Sequence, residues 1–572
     1  MQPPEIIALN ESTLLLHWNR EPNPALLQYL LALQHYLQQL PFAGYRETVT
    51  AYNTMAVFYE PTAVELHQHP TVFSAVAAHM LQALQWVPDS PATAGQIVTI
   101  PVCYDASNGA DLVKVAAEKG MDIASLAALH CSKLYDVYAI AFLPGFPYLG
   151  FLPPQLETHR RERPRPHVPA GSVAIAGLQT GIYPFNSPGG WNIIGRTPLE
   201  LFDPDRNPPF LLQAGDRVQF ESISSEVFTH MQQHGIRKEP DTGFFNNTLP
   251  LLQVEQAGYQ ATLHDGGRTG YRNRGLPGCA PTAPLTARLA NLLVGNQPGD
   301  TVLELPQARY QLRLLEGAVL AFTGGGLQPT LNGNPIDLNK PFWAPAGSLL
   351  QLQQPHPGYR LYLAVSGGWA AQPFMGSTAT DLRLQRGGML GRVLKTGDIL
   401  HQQPLTTTQQ QLAKLLRTGV EITLPSAALN KFGTQIPVLP GPDWNKLPAP
   451  VQQKLRENAF TVLNNSNRTG WCINGHLPRH ALESKQYSVP VTTGTVQYTP
   501  SGELLVLGPD GPTMGGYPHV LQLTAGALNS MAQLRPGDRF RWELTDITTA
   551  EKLYLEQEAG LQRIGQILHA WL

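Results

Sequence analysis

Short apolar runs broken by Gly and Pro dominate the chain, and long helical periods are few. Residues 13–18 form an apolar run suited to a strand. Asn23-Pro24 then opens a helix to Leu40, because apolar residues recur there at helical spacing and Pro is tolerated in a first turn. Residues 45–52 and 55–59 read as strands around an Asn53-Thr54 turn, 72–84 as a helix and 96–104 as a strand. This β-α-β-β-α-β order predicts a ferredoxin-like α/β sandwich at the N-terminus. A helix pair follows at 111–118 and 123–131. After it the pattern turns to short β runs, at 172–176 and 191–194. Three phrases share one shape: AGDRVQF (214–220), TGDILHQ (396–402) and PGDRFRW (536–542) each put a tight Gly-Asp turn before an alternating strand. They predict three related β units. Residues 404–460 hold two further helical patterns. The tail 550–572 has Leu553, Leu555, Leu561, Ile564, Ile567 and Leu568 at helical spacing.

Composition agrees with a turn-rich β protein. Gly and Pro number 52 and 51 in 572 residues, well above the about 12% of ordinary chains. Hydrophobic residues make up 42%, ample for packed cores. Acidic and basic residues, 42 against 40, are intermixed with no basic patch, which argues against nucleic acid as a partner. Cys103, Cys131, Cys279 and Cys472 form no CxxC pair, so neither a disulfide framework nor a cysteine zinc site is expected. His67 and His69 make an HxH pair without a further ligand nearby, so no metal site is expected there either. No basic leader and no run of eighteen apolar residues is found, so the expectation is a cytoplasmic protein without a membrane span.

The densest signal lies at 142–202, rich in Gly, Pro, aromatics and Arg, which reads as a pocket wall built on turns. Here LPGFPYLG (143–150), VPAGSVAIAG (168–177) and SPGGWNIIGRTP (187–198) resemble the B component of bacterial 5-oxoprolinase, the KipI or allophanate hydrolase subunit 1 family. In the second half HDGGRTGYRNRGLPG (264–278), RLANLLVGN (288–296), YLAVSGGW (362–369), SNRTGW (466–471) and GGYP (515–518) resemble its C component, the KipA or allophanate hydrolase subunit 2 family of biotin-dependent carboxyltransferase type. The chain thus resembles a natural B/C fusion. The resemblance implies a mainly β protein with α+β parts. It places a ferredoxin-like domain at 1–95, a cyclophilin-like barrel at 96–225 and two further cyclophilin-like subdomains at 251–403 and 404–548. The polar, charged run between the halves reads as a linker at 226–250, and the helix at 549–572 extends beyond the resemblance and rests on its spacing alone. The resemblance also implies ATP-dependent opening of 5-oxo-L-proline to L-glutamate, with Mg²⁺, a separate 5-oxoprolinase A component of the LamB/YcsF type, and possible homo-oligomers. The alternatives are the carboxyltransferase component of a urea carboxylase-like system and a non-enzymatic, KipI-like regulator of a histidine kinase.

Candidate chemistry sits in both halves. The chain has no Gly-Lys dipeptide, no GxSxG, no HExxH and no Met-Lys-Met biotin site, so any nucleotide must be held by arginines and turn amides. Arg160 and Arg165 either clamp a carboxylate or phosphate or lie in a solvated loop. Pro144, Phe146, Tyr148, Ser187 and Trp191 are expected to line a substrate or nucleotide pocket with them. His130, at a helix end, either moves a proton or bonds backbone carbonyls. Asp265 and Arg268 in HDGGR, and Arg468 with Asp510, form two more constellations, catalytic or structural. Against the C-component pattern Ala283 replaces an acid, the 376–380 segment lacks its arginine and 510–518 lacks its glutamine. A less polar cleft is therefore expected in the second half.

Overall fold

The computed structural model describes residues 3–86, 95–232, 243–426, 429, 432–479 and 487–571. Of the linker expected at 226–250, residues 233–242 lie outside that set; a helix, Ser225–Gln232, precedes them. No described helix is long and apolar enough to cross a membrane.

The N-terminal sheet is antiparallel, in the order Glu5–Asn10, Thr13–His17, Thr54–Tyr59, Tyr45–Ala51. Helices Pro24–Gln39 and Val72–Trp86 accompany it. Asn23 caps the first of these, accepting from the Leu26 amide at 3.0 Å, and Leu26, Leu30, Leu33 and Leu37 give it one buried stripe. The order is therefore ββαββα and differs from the βαββαβ expectation. The short run EIIALN makes a hairpin with the second strand, and Ile97–Cys103 leaves this sheet for a barrel.

Two closed barrels follow the same plan. The first uses, in chain order, Ile97–Cys103, Leu134–Ile140, Pro147–Gly150, Ser172–Ala176, Gln179–Ile182, Asn192–Arg196 and Arg217–Ile223. The second uses Gln435–Pro440, Phe460–Val462, Gly470–Asn474, Thr495–Tyr498, Leu504–Leu507, His519–Leu523 and Arg539–Leu544. Around each ring the strands run first, sixth, fourth, fifth, third, second, seventh. In each, only the first and seventh pair in parallel. Each barrel carries a two-stranded flap at the same point of the chain, Arg165–Val168 with Ser187–Gly189 and Val489–Pro490 with Met514–Gly515. The halves thus contain duplicated barrels.

Between them the expectation of a third closed barrel fails. The middle segment folds as a six-stranded and a five-stranded sheet packed on one core that includes Leu252, Leu303, Leu312, Phe322 and Leu363. Its Gly-Asp strand, Ile399–Gln402, pairs antiparallel with Leu249–Gln256, whereas the Gly-Asp strands of the barrels close parallel on their first strand. A Gly-Asp phrase encodes a turn into a final strand. It does not encode that strand's neighbour.

Three units meet at one apolar core. Tyr52 of the N-terminal sheet stacks on Tyr138 of the first barrel (centroids 5.5 Å apart) and touches Tyr487 of the last unit (4.8 Å). Met514 also belongs to this core. The last helix, Ile547–Trp571, reaches back to the beginning of the chain. Its Glu551 accepts from the Val72 and Phe73 amides (2.8 and 2.7 Å), which cap the helix Val72–Trp86, and the Tyr554 hydroxyl donates to Glu60 (2.9 Å). Glu11 in turn accepts from the Ala525 amide at 3.0 Å.

Candidate functional site

In the first barrel the arginine-rich loop leads into the flap and borders a cleft of about 740 Å³. Five cations, Arg160 and Arg163 among them, and three carboxylates, Glu118, Glu157 and Glu162, line it, and Glu118 pairs with Lys114. Arg161 and Arg165 are committed to Asp111, which is buried. Arg165 reaches it bidentately (2.7 and 2.8 Å), Arg161 at 2.7 Å, and the Ile193 amide at 2.8 Å. Burial alone would raise the Asp111 carboxyl. The Arg165 hydrogen bonds, the Ile193 amide and the two guanidinium charges outweigh it and hold the group below the usual carboxylate range. Arg165 therefore pins the loop to the barrel and does not line the cleft.

Arg160 and Arg163 are exposed, with no carboxylate at ion-pairing distance among the described residues. Arg160 lies over the Trp191 ring, 5.9 Å from its centroid. Behind it Trp191 packs edge-on against Phe146 and Tyr148 (5.7 and 6.0 Å), which are tilted against each other at 5.0 Å. These aromatics, with Pro144 and Ser187, are buried. They back the cleft as a wall and do not form its surface, because their apolar area is used up against the N-terminal sheet and Met514.

His130 lies elsewhere, sealed in the first barrel's core. Thr180 Oγ1 donates to the Ala174 carbonyl, so His130 Nε2–H donates to Thr180 (2.9 Å) and Nδ1 accepts from Tyr104 (2.7 Å). Burial pushes its pKa down to about 3. A neutral imidazole with both nitrogens spent is a core pin, so the proton-moving expectation is withdrawn.

In the second half Asp265 accepts from Ser377 Oγ (2.6 Å) and the Thr378 and Gly267 amides, which fixes the HDGGR turn to the 376–380 segment. Arg268 is buried, donating to the Pro277 carbonyl (2.8 Å), lying over Phe374 and sitting 3.7 Å from Asp381. Arg468 is the hub. It holds Asp510 bidentately (both 2.9 Å), Glu304 at 2.9 Å, Thr282 Oγ1 at 2.8 Å and the Ala280 carbonyl at 2.8 Å. Burial would raise the Glu304 carboxyl, but the charges of Arg468 and Arg360 and the Thr282 amide drive it far below its ordinary value. Burial and the adjacent Arg468 charge lower His264 to about 4. Its Nδ1–H donates to the Cys279 carbonyl, and Nε2 accepts from Thr262.

Arg468 and Asp510 open onto a crevice of about 210 Å³ between the middle sheets and the last barrel, with Asp381, Arg383 and Asn467 also lining it. Arg468 and Asp510 put charge at this crevice, yet its lining as a whole is less polar than that of the arginine cleft, as the lost motif residues lead one to expect. Glu304 and Asp111 were not singled out in the sequence. Glu304 is the single charge in the apolar strand Val302–Pro306, a signal that it must be paired. Asp111 looked like an ordinary helix start, yet its side chain makes no cap bond.

The carboxyltransferase domain family matches in two blocks, subdomains C and D over residues 4–212 and subdomains A and B over 274–544. The first half is 38% identical over 227 residues to the B component of 5-oxoprolinase from Bacillus subtilis, covering 39% of this chain and 95% of that protein. The second half is 30% identical over 319 residues to the C component of 5-oxoprolinase from Escherichia coli, covering 56% and 99%. The chain belongs to the B and C families of 5-oxoprolinase components, fused in that order. The crystal structure of TTHA0988 matches nearly the whole B/C fusion, with a TM-score of 0.77 and 32% identity over 93% of this chain and 99% of that one. The arginine cleft therefore belongs to the B half, and the Arg468 crevice to the C half.

Proposed function

We infer that this chain is the fused B/C component of an ATP-dependent 5-oxoprolinase, opening 5-oxo-L-proline to L-glutamate with a separate A component. The observation that carries the reading is that both component families are present over almost their full length in one chain. A lactam carbonyl is a poor electrophile, and ATP supplies the phosphoryl group that activates it. The B-half cleft fits such a co-substrate. Its volume suits a nucleotide, and Arg160 and Arg163 are unpaired cations able to fork onto phosphate oxygens. Trp191 keeps the Arg160 guanidinium facing the cleft, and Asp111 holds the loop that carries both arginines. Among the described residues no group of three metal-ligating side chains occurs, so Mg²⁺ would enter on the phosphates.

The reading is tested by incubating the purified chain with 5-oxo-L-proline, ATP and Mg²⁺, with and without the A component. Glutamate is expected only when that component is present, and turnover by this chain alone would overturn the division of labour. Within that assay Arg160→Ala should raise the KM for ATP by about tenfold, the loss of one phosphate contact. It should leave the thermal midpoint unchanged, since the side chain is exposed. An unaltered KM would remove the nucleotide from this cleft.

A further inference from the structure

We propose that the C-half crevice binds a small α-carboxylate carrying an N–H donor on the adjacent carbon, the chemistry shared by 5-oxoproline and glutamate. The argument starts from charge. Asp381 and Asp510 each face a buried arginine, Arg268 at 3.7 Å and Arg468 at 2.9 Å. Arg383, on the rim, is exposed and has no carboxylate at ion-pairing distance among the described residues. Arg468 also serves Glu304, which Arg360 faces at 3.7 Å, so three carboxylates stand against three buried arginines. Arg383 leaves a single positive charge to be met, which a monocarboxylate does bidentately.

Hydrogen-bonding capacity fixes the rest of the ligand. A carboxylate has about four acceptor sites, and Arg468 uses two on Asp510. Asp510 therefore still accepts from an N–H or ammonium. Asn467 spends its oxygen on the Thr469 amide (2.8 Å), which leaves its NH₂ to donate to a carbonyl or carboxylate. The volume, about 210 Å³, lies below that of drug-sized and nucleotide pockets and admits only a small metabolite. Backbone strain also marks the place as built for something other than packing. Gln260 on the wall and Gln385 on the adjoining loop hold left-handed backbone (φ 52° and 54°), a strain that persists at ligand clamps.

The proposal stands apart from the activity reading and is tested on the full chain alone, without ATP or the A component. 5-Oxo-L-proline, L-glutamate and acetate are titrated calorimetrically in separate arms. At least one of the first two is expected to bind, and acetate to bind at least about tenfold more weakly. Arg383→Ala should weaken that binding about tenfold, and Arg383→Glu should abolish it. Arg163→Ala in the other cleft should leave this metabolite binding as it is, whatever it does to turnover. The proposal is overturned if neither metabolite binds, if acetate binds equally well, if both Arg383 variants bind as wild type, or if Arg163→Ala removes binding. Glutamate release with the A component is measured on the same preparations. Turnover without crevice binding sinks this proposal alone, and crevice binding without turnover sinks the activity reading alone.

Discussion

Arg468→Ala is expected to destabilise the protein by about 3–5 kcal/mol, the cost of leaving buried charge without its partner. The guanidinium is enclosed and bridges Glu304 and Asp510 while bonding Thr282 and the 279–280 carbonyls. Its removal leaves Glu304, 1% exposed, with Arg360 only 3.7 Å away as a poorly placed substitute. It also unties the last barrel from the loop at 279–282. Arg468→Lys should recover only part of the loss, because an ammonium is a point charge and cannot serve two carboxylates and a carbonyl in fixed directions. Replacing Arg468 by Met together with Glu304 by Gln should cost less than Arg468→Ala, since no unpaired charge stays buried at that pair. Urea midpoints of the three variants measure this. A loss under about 1 kcal/mol for Arg468→Ala would class the pair with surface ion pairs.

The second large effect is on pH dependence. Burial lifts the Glu11 carboxyl from 4.5 to about 7, and the neighbouring Glu551 carboxylate adds to it. Because the folded value lies above the unfolded one, the protonated acid is favoured in the fold. Its stabilising contribution is complete below about pH 4.5 and is lost as pH rises through about 7. The amount at stake is roughly 3 kcal/mol at about 1.4 kcal/mol per pH unit. Burial raises Glu551 as well, which acts in the same sense. Glu11→Gln retains an oxygen for the Ala525 amide and cannot ionise. The variant should therefore match wild type near pH 5 and exceed it in stability near pH 8. Parallel stability profiles for the two proteins between those values would refute this.

Local grammar made much of this architecture legible. The leucine stripe after Asn23-Pro24, the helix pair at 112–131, the hairpin at 45–59 and the terminal helix all follow from spacing and caps, which act over a few residues. Strand partnership is non-local, so turn phrases alone encode neither the N-terminal hairpin nor the open middle sheets. The site shows the same division. Arginines in Pro- and Gly-rich turns were visible, but which arginine is free and which is spent depends on a carboxylate far along the chain. Arg165 meets Asp111 and Arg468 meets Glu304, 54 and 164 residues away. His130 was misjudged for that reason too: its two hydroxyl partners, Tyr104 and Thr180, come from other parts of the barrel.

The reach of the last helix to the N-terminal sheet has a consequence for assembly. The B and C relatives are separate chains. Here each half supplies a cap to the other: Glu11 holds the amide of Ala525, and Glu551 holds those of Val72 and Phe73. Covalent tethering sets the local concentration of such partners near the millimolar range whatever the protein's own concentration. The two barrels are then always present one to one, and dilution cannot part them.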